Sequence, residues 1–420
     1  MVGVTNQSTG LRHVVFLERA VHDAGAMPAG FGKASFLVLR LVDLVSATER
    51  RATGSELFGY QAAATGRYCR EHLEPSPSSD LLVDLVRVAT YAHRREDPGL
   101  LAPPMIALAR GLEDTACYEE ALDVLATLER VAGALLRPAD AVTATLRIAR
   151  LERELGRFDQ AEQRYVRASE WATASGNTDA HLRSRLGRAN VLRLRGNLTA
   201  AQLETESALT DARHADIRDM EAEAEHDLAI VLGTRGELHE AVPHFWRAFE
   251  LHGDGPLASH ALHDLGVALS RLGAVNDAER ALRHVVASKA NRSIVQNAMI
   301  ELMHCASFRR DRVGFERCRA FCTKELAQMS PNILADFLLK LGIGLARFGH
   351  VERAEGELTQ ALQVAQAHRL HEFEFRIERI RAGLGDCVAL EVSECGADVE
   401  SPAPRAILGA VSTALTSLSV

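Results

Sequence analysis

Aromatic residues are scarce in this chain: 14 Phe, 5 Tyr and 2 Trp, 5% of 420 positions. Sandwich and barrel strands favour aromatic and β-branched residues, so the composition argues against those architectures. Lysine is rarer still. Lys33, Lys289, Lys324 and Lys340 are the only four, leaving 44 of the 48 basic residues as arginine. No apolar run reaches the roughly 18–20 residues that a membrane span needs. The opening MVGVTNQSTG is polar and uncharged, with no secretory apolar region, so neither membrane contact nor export is expected. The seven cysteines (69, 117, 305, 318, 322, 387 and 395) are scattered and odd in number, which predicts free thiols in a reducing, cytoplasmic setting. A net charge of −8 argues against a nucleic-acid coat, so no direct nucleic-acid partner is expected.

Signatures of chemistry are missing as well. There is no phosphate-cradling glycine loop, nucleophile elbow, HExxH or paired CxxC, so neither an enzyme nor a cofactor is expected. Two histidine pairs, His260/His263 and His368/His371, stand three residues apart in predicted helices and would offer two metal ligands each, without a third. Cys318 and Cys322, four apart on a helix, are awkwardly placed for a disulfide and suit a buried small-residue role. Residues 11–60 contain no convincing helix-turn-helix.

What the chain does have is a repeat. A Gly, then Ala five residues on, a variable packing residue, and often a second Ala recurs as Gly156/Ala161/Tyr165/Ala168, Gly196/Ala201/Thr205/Ala208 and Gly236/Ala241/Phe245/Ala248. It continues at Gly273/Ala278/Leu282/Val285 and Gly349/Ala354/Leu358/Ala361, with weaker copies starting at Ala116 and Asp311. The turn positions 116, 156, 196, 236, 273, 311 and 349 are 40, 40, 40, 37, 38 and 38 residues apart. Such regularity signals stacked units, each too small to bury its apolar stripe alone. Apolar segments of helical period precede each turn, the turn glycine suits a helix exit, and alanines seven apart share one helix face.

With a small residue in each first helix (Ala149, Ala189, Ala229, Gly266, Gly342), this pattern resembles the tetratricopeptide repeat family over roughly residues 102–365. It departs from that family in its period, 37–40 instead of 34, and in usually lacking the closing proline. Its longer units look like the sensor regions of bacterial regulators. The resemblance implies an all-α fold, an α-solenoid: a right-handed superhelix of about seven helical hairpins. Three regions are expected: 1–100 as a helical N-terminal cap or degenerate repeats, 101–384 as the superhelix, and 385–420 as a flexible tail. The first region reads as helices over 11–24, 33–50, 55–73 and 79–95, the second of them buried. The tail would carry a short amphipathic helix over 405–418, and its Glu391, Glu394, Asp398 and Glu400 would suit an autoinhibitory fold into a basic groove.

In such a solenoid the first helix of each hairpin lines the concave side. Aligned by their small residues, these helices place Arg110, Arg150, Arg153, Arg183, Asn190, Arg193, His226, His260, His263, Arg271, Arg309 and Arg347 toward the groove, with Glu223 and Glu301 as acidic exceptions. Guanidinium forks suit carboxylates. The function expected is a non-enzymatic scaffold or adaptor that binds a protein or peptide, acidic or carboxylate-bearing, through an arginine-rich groove. The family's carboxylate-clamp class would put Asn where this chain has Asp227, so that identity does not follow. The rival expectation is a regulatory sensor that binds a signalling peptide or small molecule and controls a partner in transcription or signalling.

Overall fold

The computed structural model describes residues 11–22, 27–46, 54–255, 257–288, 290–368, 370–383 and 402–418. The described residues form twenty α-helices, three 3₁₀ turns and no strand, an all-α α-solenoid of consecutive hairpins as expected. They divide into two compact units, Met1–Gly196 and Asn197–Val420.

The first unit holds α1 (Val14–His22), α2 (Ala29–Asp43), α3 (Ser55–His72), α4 (Pro77–Arg95), α5 (Ala102–Asp114), α6 (Tyr118–Ala132), α7 (Pro138–Glu154), α8 (Phe158–Ala174) and α9 (Thr178–Leu194). The second helix is buried as expected, but it begins four residues earlier and ends at Asp43. It packs against α1, α3, α4 and α6, and Val38, Leu39 and Val42 join Phe16, Leu82, Leu85 and Leu128 in one core. Polar residues are buried there too. His13 bonds Asp123 at 2.6 Å and Asp43 at 3.4 Å, and Arg130 reaches Asp43 at 2.6 Å. Burial works against the Asp43 carboxylate, yet the bonds from His13 and Arg130 hold it at about 2.

The second unit holds α10 (Leu198–His214), α11 (Arg218–Arg235), α12 (Leu238–His252), α13 (Ala258–Arg271), α14 (Val275–Ala287), α15 (Arg292–Phe308), α16 (Arg312–Glu325), α17 (Pro331–Arg347), α18 (Val351–Ala367), α19 (His371–Ala382) and α20 (Pro402–Ser417). Hairpins α11/α12, α13/α14, α15/α16 and α17/α18 follow one another here, as α5/α6 and α7/α8 do in the first unit. The Gly196 turn joins α9 to α10 at the boundary.

Each hairpin turn is the same device. A residue with positive φ follows the first helix, and the next amide donates to the carbonyl five residues back. Glu237 N to Leu232 O, Ala274 N to Leu269 O and His350 N to Leu345 O are each 2.9 Å, after Gly236, Gly273 and Gly349. The weak copy corrects the expected register by one residue. Arg310 takes the left-handed conformation at φ 57°, and Asp311 instead caps α16, its Oδ1 accepting from Gly314 N at 2.9 Å. A capping carboxylate has to sit outside the helix with an extended backbone, so the turn falls to the residue before it.

Small residues set the spacing between neighbours. A Cβ on Gly344 of α17 would overlap the Phe315 ring of α16, and one on Gly342 would lie 2.7 Å from Leu358 Cγ. Phe315, Phe337, Met303 and Leu358 are fully enclosed in that part of the core. The first helices α13, α15 and α17 touch in sequence and α19 closes that layer, so their shared side positions the site.

Candidate functional site

Four helices of the second unit surround a pocket of about 510 Å³. Val267, Ser270 and Arg271 come from α13, Glu301, His304 and Phe308 from α15, Lys340 from α17, and Glu372, Arg376 and Arg379 from α19. All lie on the first-helix layer, the side that the repeat pattern assigns to binding.

Its electrostatics follow from the pairing. Lys340, almost fully enclosed in the mostly apolar α17, donates to Glu301 Oε1 at 2.5 Å and to Asp336 Oδ2 of its own helix at 2.7 Å. Burial alone would lower its pKa, but the charges of Asp336 and Glu301 outweigh that and hold it charged. Its charge is therefore compensated within the wall. Arg271, Arg376 and Arg379 differ: among the described residues none has a carboxylate within ion-pair distance. Burial, then the charges of Arg347, Lys340 and Arg376, push His304 well below its usual value, so it lines the pocket as a neutral ring. The pocket is cationic, with Phe308 as an apolar wall. Glu372 at its rim is exposed.

A second polar cluster joins neighbouring first helices. His226 Nε2 of α11 and His263 Nδ1 of α13 flank Asp264, each 2.9 Å from one carboxylate oxygen. Burial works to lower both imidazoles, but the bonds to Asp264 raise them above their ordinary value, and Asp264 is lowered in turn.

The twelve sequence-predicted residues divide equally between the units. In the first, Arg110 is exposed on α5, and Arg150 is exposed on α7 with Glu113 at 3.9 Å. Arg153 bonds Glu154 at 2.8 Å, Arg183 bonds Asp179 at 2.9 Å, and Arg193 Nε donates to Asn190 Oδ1 at 3.3 Å. In the second, His226 and His263 form the bridge just described, His260 is half-buried on α13, and Arg271 lines the pocket. Arg309 instead pairs with Glu279 of α14 at 3.0 Å. Arg347 is buried, its guanidinium 3.6 Å from the Phe308 ring centre and bonded to Ser307 Oγ at 2.9 Å. These two occupy the last turn of a first helix and its exit, where the chain turns toward the second helix.

The pocket residues missed from sequence include Lys340, His304, Phe308, Arg376 and Arg379. Lys340 had a signal, one of only four lysines in an arginine-biased chain and the one basic residue in the mostly apolar run Ile333–Ala346. Arg376 and Arg379 follow the last recognisable repeat and had none.

The metal-ligand pairs are also placed. His368 caps the end of α18 and His371 opens α19, so they do not share a helix. His263 is committed to Asp264. Among the described residues no three His, Cys, Asp or Glu side chains are grouped to hold a metal ion. Cys318 and Cys322 do share α16; burial pushes Cys322, like Cys305, up to about 12, far from a neutral-pH nucleophile. No described helix is long and apolar enough to cross a membrane.

Comparison with known proteins gives a consistent fold. The model of the tetratricopeptide repeat matches residues 259–290, which are α13, its turn and α14 with the residues just after it. Among solved structures, the chain is similar to a Rap protein complexed with Competence and Sporulation Factor, with 13% identity and a TM-score of 0.52, covering 81% of this chain and 99% of that one. Aspartyl phosphate phosphatase F from Bacillus subtilis is similar at 10% identity and a TM-score of 0.51, covering 79% of this chain and 94% of that one. No curated protein matches the chain.

Proposed function

We propose that this tetratricopeptide-repeat protein is a non-catalytic binding module that captures an acidic protein segment or peptide in the pocket of its second unit. One observation carries the reading. Arg271, Arg376 and Arg379 bring three guanidinium groups to one pocket, and among the described residues no carboxylate stands within ion-pair distance of any of them. A guanidinium accepts a carboxylate in a two-point fork, and the Phe308 wall offers apolar contact beside it. The Rap protein of the same fold is complexed with Competence and Sporulation Factor, which supports a capture role for such a layer. In this reading Arg271 is the sequence-predicted groove residue that anchors the ligand. Arg110 is exposed on the first unit, whereas Arg150 has Glu113 within ion-pair distance.

The test is a peptide array bearing free-acid and amidated sequences of graded acidity, probed with the full chain and with the Arg271→Glu/Arg376→Glu variant. Wild type should enrich Asp- and Glu-rich or free-acid peptides, more so at low salt, and the variant should lose at least about tenfold in affinity with unchanged helicity. Capture that ignores peptide charge, or survives the double reversal, refutes the assignment.

The pocket volume also fits a small acid, which keeps the sensor reading in view. Stabilisation by a panel of small carboxylates and phosphates, with no peptide present, would favour it.

A further inference from the structure

The opposite layer of the second unit carries its own occupant. Helix α20 packs mainly against α12 and α14, both second helices. The residues on which the expected autoinhibitory fold rests, Glu391, Glu394, Asp398 and Glu400, lie outside the described residues. A helix without acidic residues has no charge attraction to the arginines, and it settles where apolar side chains can be covered.

Its seat is slight. Val411 and Leu415, one turn apart, are buried to 5% and 2% exposure, while Leu408 and Leu418 are half-covered on the same stripe. Ser412 Oγ donates to Asp277 Oδ1 at 3.0 Å. No charged residue occurs from Leu408 to Leu418, so no ion pair fixes this stretch. A 16-residue helix is marginal in water by itself, so α20 is ordered by its dock. Nineteen residues, 383–401, tie it to α19. Tethering of this kind holds an occupant at an effective concentration of about the mM range, enough to keep a weak site filled.

From this we infer that the α12/α14 face is a helix-docking surface, that α20 fills it reversibly in cis, and that its release exposes the face to a partner. The partner is an amphipathic helix of the same chemistry: apolar residues four apart, small residues between them, a hydroxyl placed to reach Asp277, and little charge. The surface is independent of the cationic pocket, so either assignment can fail alone.

A fluorescent peptide covering residues 402–418 tests the idea by anisotropy against the full-length chain. In the Val411→Asp/Leu415→Asp chain the cis helix is released, and the added peptide should bind at least about tenfold more tightly than to wild type, where α20 competes. A Ser412→Asp chain, which sets two carboxylates against each other, should fall between the two. A peptide carrying both apolar-to-Asp changes should bind none of them. Equal affinity for wild type and the released chain, or no binding to the released chain while its helicity is intact, overturns the inference. A wild-type dimer that the double variant abolishes would show exchange of α20 between copies and overturn cis occupancy.

Discussion

Replacing Lys340 with methionine keeps the length and apolar bulk of the side chain but deletes its charge. The ammonium lies 2.5 Å from Glu301 Oε1 and 2.7 Å from Asp336 Oδ2, with the lysine and glutamate side chains only 11% and 10% exposed. Removing one partner of a buried ion pair leaves the other charge desolvated, typically costing about 3–5 kcal/mol. Asp336, at 18% exposure, regains some hydration, whereas Glu301 has little room to do so. For a unit the size of Asn197–Val420, the loss corresponds to roughly 6–20 °C in melting temperature. Urea unfolding followed by far-UV circular dichroism measures it. Pairing the change with Glu301→Gln removes the stranded charge, so the double variant should recover more than half of the loss. Acidic-peptide capture by that double variant should persist, because Arg271, Arg376 and Arg379 supply the free positive charge. A Lys340→Met loss below about 1 kcal/mol, or a double variant no better than the single, would refute the view that this triad is a buried, mutually dependent unit.

Two glycines predict opposite outcomes. Gly344→Ala drives a methyl into the Phe315 ring and should destabilise by about 1–3 kcal/mol, while Gly356→Ala, exposed in α18 with nothing within 4 Å, should stabilise by about 0.5–1 kcal/mol; equal shifts would contradict the packing described. The histidines predict a stability maximum near the ordinary imidazole pKa of about 6.5. His226 and His263 are raised, so their contribution is complete below 6.5 and is lost as pH climbs through their folded values. His252 is lowered to about 4, by burial and then by the His226 charge, so stability also falls as pH drops from about 6.5 toward 4. Asp264→Asn should flatten the alkaline limb of a melting-temperature profile, and an unaltered alkaline limb would show that the bridge does not set it.

The hairpins were legible because their signals are local. A turn residue must take positive φ, alanines seven apart must share a helix face, and both demands recur every 37–40 residues in the sequence alone. Where the local signal weakened, the reading slipped: Asp311 looked like the turn, but its carboxylate serves as a cap and Arg310 makes the turn.

Charge pairing was not legible in the same way. Whether an arginine is available depends on which carboxylate the neighbouring hairpin brings within reach. Arg309 met Glu279 and Arg347 met the Phe308 ring, while Arg271 met no carboxylate among the described residues. Lys340 needed a glutamate 39 positions earlier to be charged in the interior. The docking of α20 on α12 and α14 depends on apolar surface left uncovered once the hairpins have stacked, and no sequence period records that. The sequence by itself determined the repeat, its hairpins and their turns, because backbone conformation and helix periodicity are set within a few residues. Tertiary structure alone decided which charges cancel, which remain free and where the last helix rests, because those depend on distances between residues far apart in the chain.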